Sequence, residues 1–192
     1  MLLENAITPI QQYSYTFGKN SSDSTLIIDA MDILYTEKVD GFCIASGDSD
    51  FTRLATGLRE AGMLVIGSGE KKTPKPFIAA CDKFIYLEIL KNSCKDPQLP
   101  ETAKQNEEAL GLLDKEIVRL VMASSNDLTD EEGYASLASP GCLLIKKKPD
   151  FDPRNYGFSK LLLFITAVGK FEIDDRETGI ENVRHIYIKP VN

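Results

Sequence analysis

An α/β domain built on a parallel sheet, followed by a small winged-helix domain, is the fold class this sequence predicts. Three observations lead there. Short apolar runs alternate with helical periodicity up to about residue 90, a polar stretch with two prolines follows, and the pattern then changes to amphipathic helices ending in a hairpin.

In chain order, Ile10–Tyr15 reads as a strand. Ser21, Ser22 and Asp23 offer N-cap chemistry for a helix to about Thr36, with Ile27, Ala30, Met31 and Leu34 at i, i+3, i+4, i+7. GFCIAS (41–46) is an apolar run of the kind a buried parallel strand needs. A polar turn, Gly47-Asp48-Ser49-Asp50, leads into a helix over Phe51–Ala61 that stops at Gly62. Leu64–Gly67 and Lys83–Leu87 read as strands, with a helix over Pro74–Ala80 between them. Strands alternating with helices predict a parallel sheet with helices on both sides.

Residues 92–111 (NSCKDPQLPETAKQNEEALG) read as a linker, dividing the chain into domains at 1–91 and 112–190. Beyond it, Leu113, Ile117, Leu120 and Val121 mark one helix. A short helix over Tyr134–Ala138 ends at Pro140-Gly141, and a third runs from Asn155 to Val168. Phe171–Asp174 and Val183–Ile188 then pair around 175–182 as the wing.

Composition narrows the chemistry. No apolar run reaches the ~20 residues a membrane helix needs, and the acidic Glu4 near the start argues against a signal peptide. Cys43, Cys81, Cys94 and Cys142 form no Cys-x-x-Cys pair, and three lie in apolar surroundings; buried thiols in a reducing cytoplasm are the expectation. His185 is the one histidine, which disfavours Cys/His zinc sites and reads as structural. Net charge is −7, and no segment is basic overall, so nucleic-acid binding by bulk charge is disfavoured and any basic patch must be built by position.

The strongest chemical signal is Ser46-Gly47-Asp48-Ser49-Asp50-Phe51. It follows a buried strand, and open parallel sheets bind ligands beyond the carboxyl ends of their strands. Two carboxylates in one turn repel unless a cation sits between them, and Mg²⁺ or Mn²⁺ suits hard oxygen donors. Asp23 shares a helix face with Ile27 and Ala30 and would add a third carboxylate. Asp29 and Asp32 lie on a different face of the helix from it, as outer partners or a solvated stripe. The alternative is that Asp48 and Asp50 simply cap the following helix. Lys71, Lys72 and Lys75 follow a strand at the same edge, where they would either hold a phosphate backbone or form a solvated loop.

With KNSSDSTLIID (19–29), SGDSDF (46–51) and GSGEKKTPKPFIAACDKFI (67–85), residues 1–90 resemble the NYN domain family, in its LabA-like branch of PIN-like nuclease fold. The resemblance implies that Asp23, Asp48 and Asp50 coordinate a metal and direct phosphodiester hydrolysis of RNA, with Asp29 in a recurring but less defined position. The family pattern begins with a hydrophobic strand ending in an Asp-rich segment. This chain starts after it, which implies a partial domain, incomplete at the N-terminus, and a site short of one ligand.

FDPRNYGF (151–158), with Lys160, Leu161 and Phe171-Glu172-Ile173, resembles the OST-HTH/LOTUS family over residues 112–189. That resemblance implies a winged helix associated with RNA binding and, in some members, with docking onto a protein partner. Lys146, Lys147, Lys148, Arg154, Tyr156 and Lys160 cluster at the entrance to the third helix, where such domains face nucleic acid; Tyr156 would stack on an unpaired base or close the core. Two functions stay open on the sequence: a metal-dependent cytoplasmic ribonuclease recruited to RNA by its winged helix, and a noncatalytic RNA-binding or adaptor protein with an incomplete site. A nucleotide-binding α/β domain is disfavoured, because neither Gly-x-Gly-x-x-Gly nor Gly-x-x-x-x-Gly-Lys occurs.

Overall fold

The alternation of apolar and amphipathic segments folds as anticipated in the first half of the chain. The computed structural model describes residues 3–5, 7–12, 21–93, 115–130, 132–177 and 184–191. Helix α1 (Ser21–Tyr35) leads into β1 (Gly41–Ala45), α2 (Thr52–Glu60), β2 (Leu64–Gly69), α3 (Lys75–Ala80), β3 (Lys83–Tyr86) and α4 (Leu87–Ser93). The strands form a parallel sheet in the order β1-β2-β3, with Ala45 opposite Ser68 and Gly69 opposite Tyr86. Because all three run the same way, their carboxyl ends share one edge.

Packing explains the helix faces. Ala30 joins Phe51, Leu54, Ala55, Leu58, Val65, Phe77 and Phe84 in the core, and Ile27, Met31 and Leu34 of α1 pack against it. The i, i+3, i+4, i+7 set is therefore the buried stripe. Phe77 and Phe84 meet edge to face at 6.1 Å. Glycine in β2 is what admits the ring: a Cβ on Gly67 would lie 2.6 Å from both Cys81 Sγ and Phe84 Cδ2.

The expected strand at Ile10–Tyr15 does not form over residues 10–12, which are irregular; 13–15 and Lys19 lie outside the described residues. Polar Gln11 and Gln12 follow Ile10 with no apolar alternation to define a buried face. Most of the predicted linker, from 94 on, also lies outside them, while α4 reaches into its start. Of the cysteines, Cys81 is buried, but Cys43 and Cys142 are exposed, contrary to expectation. Cys43 sits on β1, an edge strand among the described residues, and opens onto the groove between β1 and α1.

The second half is a winged-helix-like unit: α5 (Lys115–Asn126), β4 (Ala135–Ser136), α6 (Ala138–Lys147), α7 (Leu161–Val168), β5 (Phe171–Glu177) and β6 (Arg184–Pro190). Its antiparallel sheet has the order β4-β6-β5. Two expectations fail here. Tyr134–Ala138 is not a helix ended by Pro140; it contains β4, and Pro140 lies inside the first turn of α6. A proline there forfeits only an N–H that has no partner within the helix. Nor does one helix run from Asn155 to Val168. A 3₁₀ turn, Pro153–Tyr156, stops at Gly157 with φ +84°, and α7 begins anew at Leu161. Phe164, fully buried, collects Phe151, Phe158 and Tyr156 with ring centroids 5.5–5.7 Å away.

The two halves touch along the outer edge of β3. The Phe84 N–H donates to the Pro149 carbonyl at 2.8 Å, and the Tyr86 hydroxyl donates to Asp150 Oδ2 at 2.8 Å. Burial pushes the Tyr86 phenol above its ordinary value of 10.0, and the Asp150 hydrogen bond acts in the same direction. A raised folded-state value means this tyrosine stabilises the fold fully below pH 10 and less as pH rises beyond it. Tyr86→Phe is expected to lower stability by about 1 kcal/mol near neutrality. Its deficit should shrink above pH 10, as read from denaturant unfolding across pH.

Candidate metal centre

Asp23 stands in the first turn of α1, where the N-terminal dipole favours a carboxylate. Asp48 and Asp50 come from the turn that leaves β1. Asp48 has extended backbone (φ −92°, ψ 132°) and caps the 3₁₀ turn Ser49–Phe51 by accepting the Asp50 N–H at 3.0 Å. The Ser46 hydroxyl accepts the Asp48 N–H at 3.1 Å, and the Ser46 N–H donates to the Ser68 carbonyl at 2.9 Å. The turn is thus stapled to β2. Capping is real, yet it engages one oxygen of Asp48 only.

These elements bring three carboxylates together: one oxygen from each of Asp23, Asp48 and Asp50 lies within 4.8 Å of the others. Donors so spaced are near enough to close around one divalent ion, which for Mg²⁺ means oxygen distances of about 2.0–2.1 Å. The donor set, all carboxylate with no thiolate or imidazole, suits those hard ions over zinc or copper. Asp23 is half-buried, and Asp48 and Asp50 are exposed, so the site opens to solvent. Asp29 is not in the group; nearly two turns further along α1, it lines the groove beside β1.

The β2–α3 loop leaves the same edge of the sheet. Lys71, Lys72 and Lys75 are all exposed. Lys72 pairs with Glu70 at 2.7 Å, and the hydrogen bond to that carboxylate raises the Lys72 ammonium above its ordinary value. The Lys71 N–H donates to Glu88 Oε1 at 3.0 Å, tying the loop to the start of α4.

Residues 1–88 match the family model of the NYN domain, and residues 109–183 match that of the OST-HTH/LOTUS domain. The chain joins an NYN domain to an OST-HTH/LOTUS domain. A solution NMR structure of an uncharacterized protein from Nitrosomonas europaea is similar at 25% identity, covering 51% of this chain and 89% of that one, with a TM-score of 0.38. No curated protein matches the sequence. Among the described residues, no helix is long and apolar enough to cross a membrane.

In the OST-HTH domain the basic residues singled out by sequence divide into two groups. Lys147 pairs with Asp127 at 2.9 Å, Lys148 with Asp150 at 3.5 Å, and Arg154 with Asp152 at 2.7 Å. Burial disfavours the charged form of Asp152, but two hydrogen bonds from the Arg154 side chain and one from its backbone outweigh that and hold the carboxyl below its ordinary value. Lys146 and Lys160 are exposed and make no ion pair among the described residues. Tyr156 packs its ring against Phe151 and Phe164.

Sequence reasoning overlooked several residues that shape these surfaces. Ser46 and Thr73 stand inside the quoted motifs but are uncharged, and the sequence assigned neither a role. The guanidinium of Arg176 lies over Tyr187 at 4.5 Å and Tyr134 at 5.2 Å, a stack that only the β5–β6 register and the β4 strand assemble.

Proposed function

We propose that this protein is a ribonuclease: its NYN domain hydrolyses RNA phosphodiester bonds at Asp23, Asp48 and Asp50, and its OST-HTH domain holds the RNA. One observation carries the reading, the convergence of those three carboxylates at the carboxyl edge of the parallel sheet. Asp23, Asp48 and Asp50 would hold Mg²⁺ or Mn²⁺, which when bound supplies charge neutralisation at a phosphate and a more acidic water. The chain's own residues do the rest. Ser46 and the Asp48 cap fix the turn, so the carboxylates are set before substrate arrives. Lys71, Lys72 and Lys75 flank the same edge and supply the positive charge a ribose-phosphate backbone needs. Asp29 serves as an outer acidic group on α1.

On the OST-HTH domain, Lys146 and Lys160 are the cations we assign to direct phosphate contact, since both are exposed and unpaired among the described residues. Lys147, Lys148 and Arg154 contribute to the local field through their ion-paired positions, and Tyr156 supports the surface from the core side. The reading places the protein in the cytoplasm, with RNA as its ligand and the winged-helix surface open to a protein partner as well.

Two measurements test it. Labelled single-stranded RNA incubated with the full chain should be cleaved with Mg²⁺ or Mn²⁺ and left intact in EDTA. Asp48→Asn and Asp50→Asn, each shown to be folded by circular dichroism, should each reduce the rate by about 100-fold or more. Cleavage that survives both substitutions removes these residues from the chemistry, and RNA bound but never cleaved by the wild type favours an adaptor role. Separately, Lys146→Ala/Lys160→Ala should weaken RNA binding and flatten the dependence of log K on log salt by about 1.4, at ~0.7 per phosphate contact on a single strand. An unchanged slope, read by fluorescence anisotropy, would move RNA binding away from this surface.

A further inference from the structure

Beside the acidic turn lies a side chain with no role in the account so far. Thr73 is 4% exposed, and its hydroxyl has no hydrogen-bond partner among the described residues. A buried hydroxyl left unpaired costs stability, and such groups are rare enough to call for a reason. Slack in the loop is not the reason. The Thr73 N–H donates to the Glu70 carbonyl at 2.9 Å, and the Lys71 N–H is held by Glu88. Its position is specific. A Cβ on Gly69 would lie 2.6 Å from Thr73 Oγ1 and 2.7 Å from the Ser46 carbonyl oxygen, so only glycine there admits the hydroxyl between the carboxyl ends of β1 and β2. A Cβ on Gly47, the residue before Asp48, would lie 3.6 Å from the same oxygen.

We propose that Thr73 is a substrate-positioning residue, its hydroxyl donating a hydrogen bond to an oxygen of the RNA phosphate seated at the Gly47–Asp50 turn. This rests on the reading of the NYN domain as a phosphodiester-cleaving domain. Gly47, which precedes Asp48, is exposed and carries no side chain, and for a phosphate oxygen to reach the hydroxyl the backbone there has to shift. The chemistry is apt: a neutral donor beside three carboxylates accepts no charge penalty of its own, and it marks one oxygen of a phosphate that the lysines of the same loop attract only broadly.

The test compares Thr73→Val, which keeps the shape and removes the hydroxyl, with Thr73→Ser, which keeps the hydroxyl, both in the full chain. Melting temperature is measured in EDTA, RNA affinity in EDTA, and kcat and KM with Mn²⁺. Thr73→Val should melt at or above the wild-type temperature, because the lost hydroxyl had no partner. It should cleave about 100-fold more slowly and bind RNA in EDTA several-fold more weakly, while Thr73→Ser stays within about threefold of wild type on each readout. A lowered melting temperature in Thr73→Val that Thr73→Ser restores, with unchanged RNA affinity, would make the hydroxyl structural and overturn the proposal, as would wild-type kinetics in Thr73→Val. Failure of the underlying reading looks different: wild-type protein that leaves RNA intact with or without the metal takes both down.

Discussion

Crowding of like-charged carboxylates is the constraint that singles out one edge of the first domain. Asp23, Asp48 and Asp50 come from two separate elements, and each location is reasonable alone: a helix N-terminus and a capping turn. Together, with one oxygen from each within 4.8 Å of the others, they form an arrangement that like charges resist unless a cation offsets them. Parallel pairing of β1 with β2 sets where the Asp48–Asp50 turn emerges. It fixes where β1 ends, and the Ser46–Ser68 bond fixes how the chain leaves. The fold holds the carboxylates at a defined spacing, and that spacing is what makes a capped turn a candidate site.

The same edge gathers the other groups that the proposed reaction would use. The β2–α3 loop departs from the neighbouring strand, carrying Lys71, Lys72 and Thr73 and leading to Lys75 at the start of α3, and Glu88 braces it from the start of α4. Glycine is decisive at Gly69, because any side chain there would strike both Thr73 and the Ser46 carbonyl. At the far strand the OST-HTH domain meets the NYN domain through Phe84, Tyr86, Pro149 and Asp150. Edge strands with unpaired backbone groups invite adventitious pairing, and this contact occupies a donor on that edge. It also sets Pro149 and Asp150, which follow the Lys146–Lys148 end of α6, against β3.

Much of this was legible because its signals are local. The α1 stripe, the Gly41–Ala45 run and the Gly-Asp-Ser-Asp turn lie within short windows, where periodicity and capping rules apply directly. What escaped depends on context. Pro140 reads as a stop, yet in the first turn of a helix it is tolerated, so α6 continues through it to Lys147. Gly157 reads as one more helical residue, but its left-handed backbone divides a 3₁₀ turn from α7. Lys147, Lys148 and Arg154 look like a basic patch in sequence, whereas the fold sets an aspartate against each. The Tyr86–Asp150 bond joins residues in different domains and had no sequence signature. Thr73 is the sharpest case, since what sets it apart is a buried hydroxyl with no hydrogen-bond partner among the described residues.

Isothermal titration of Mn²⁺ into the metal-free protein bears on the central claim without depending on any RNA. One saturable site is expected in the wild type, lost or weakened at least about tenfold when Asp23, Asp48 or Asp50 is changed singly to asparagine, and little changed by Asp32→Asn on the same helix. Wild-type protein that takes up no Mn²⁺, or uptake indifferent to all three substitutions, would contradict it.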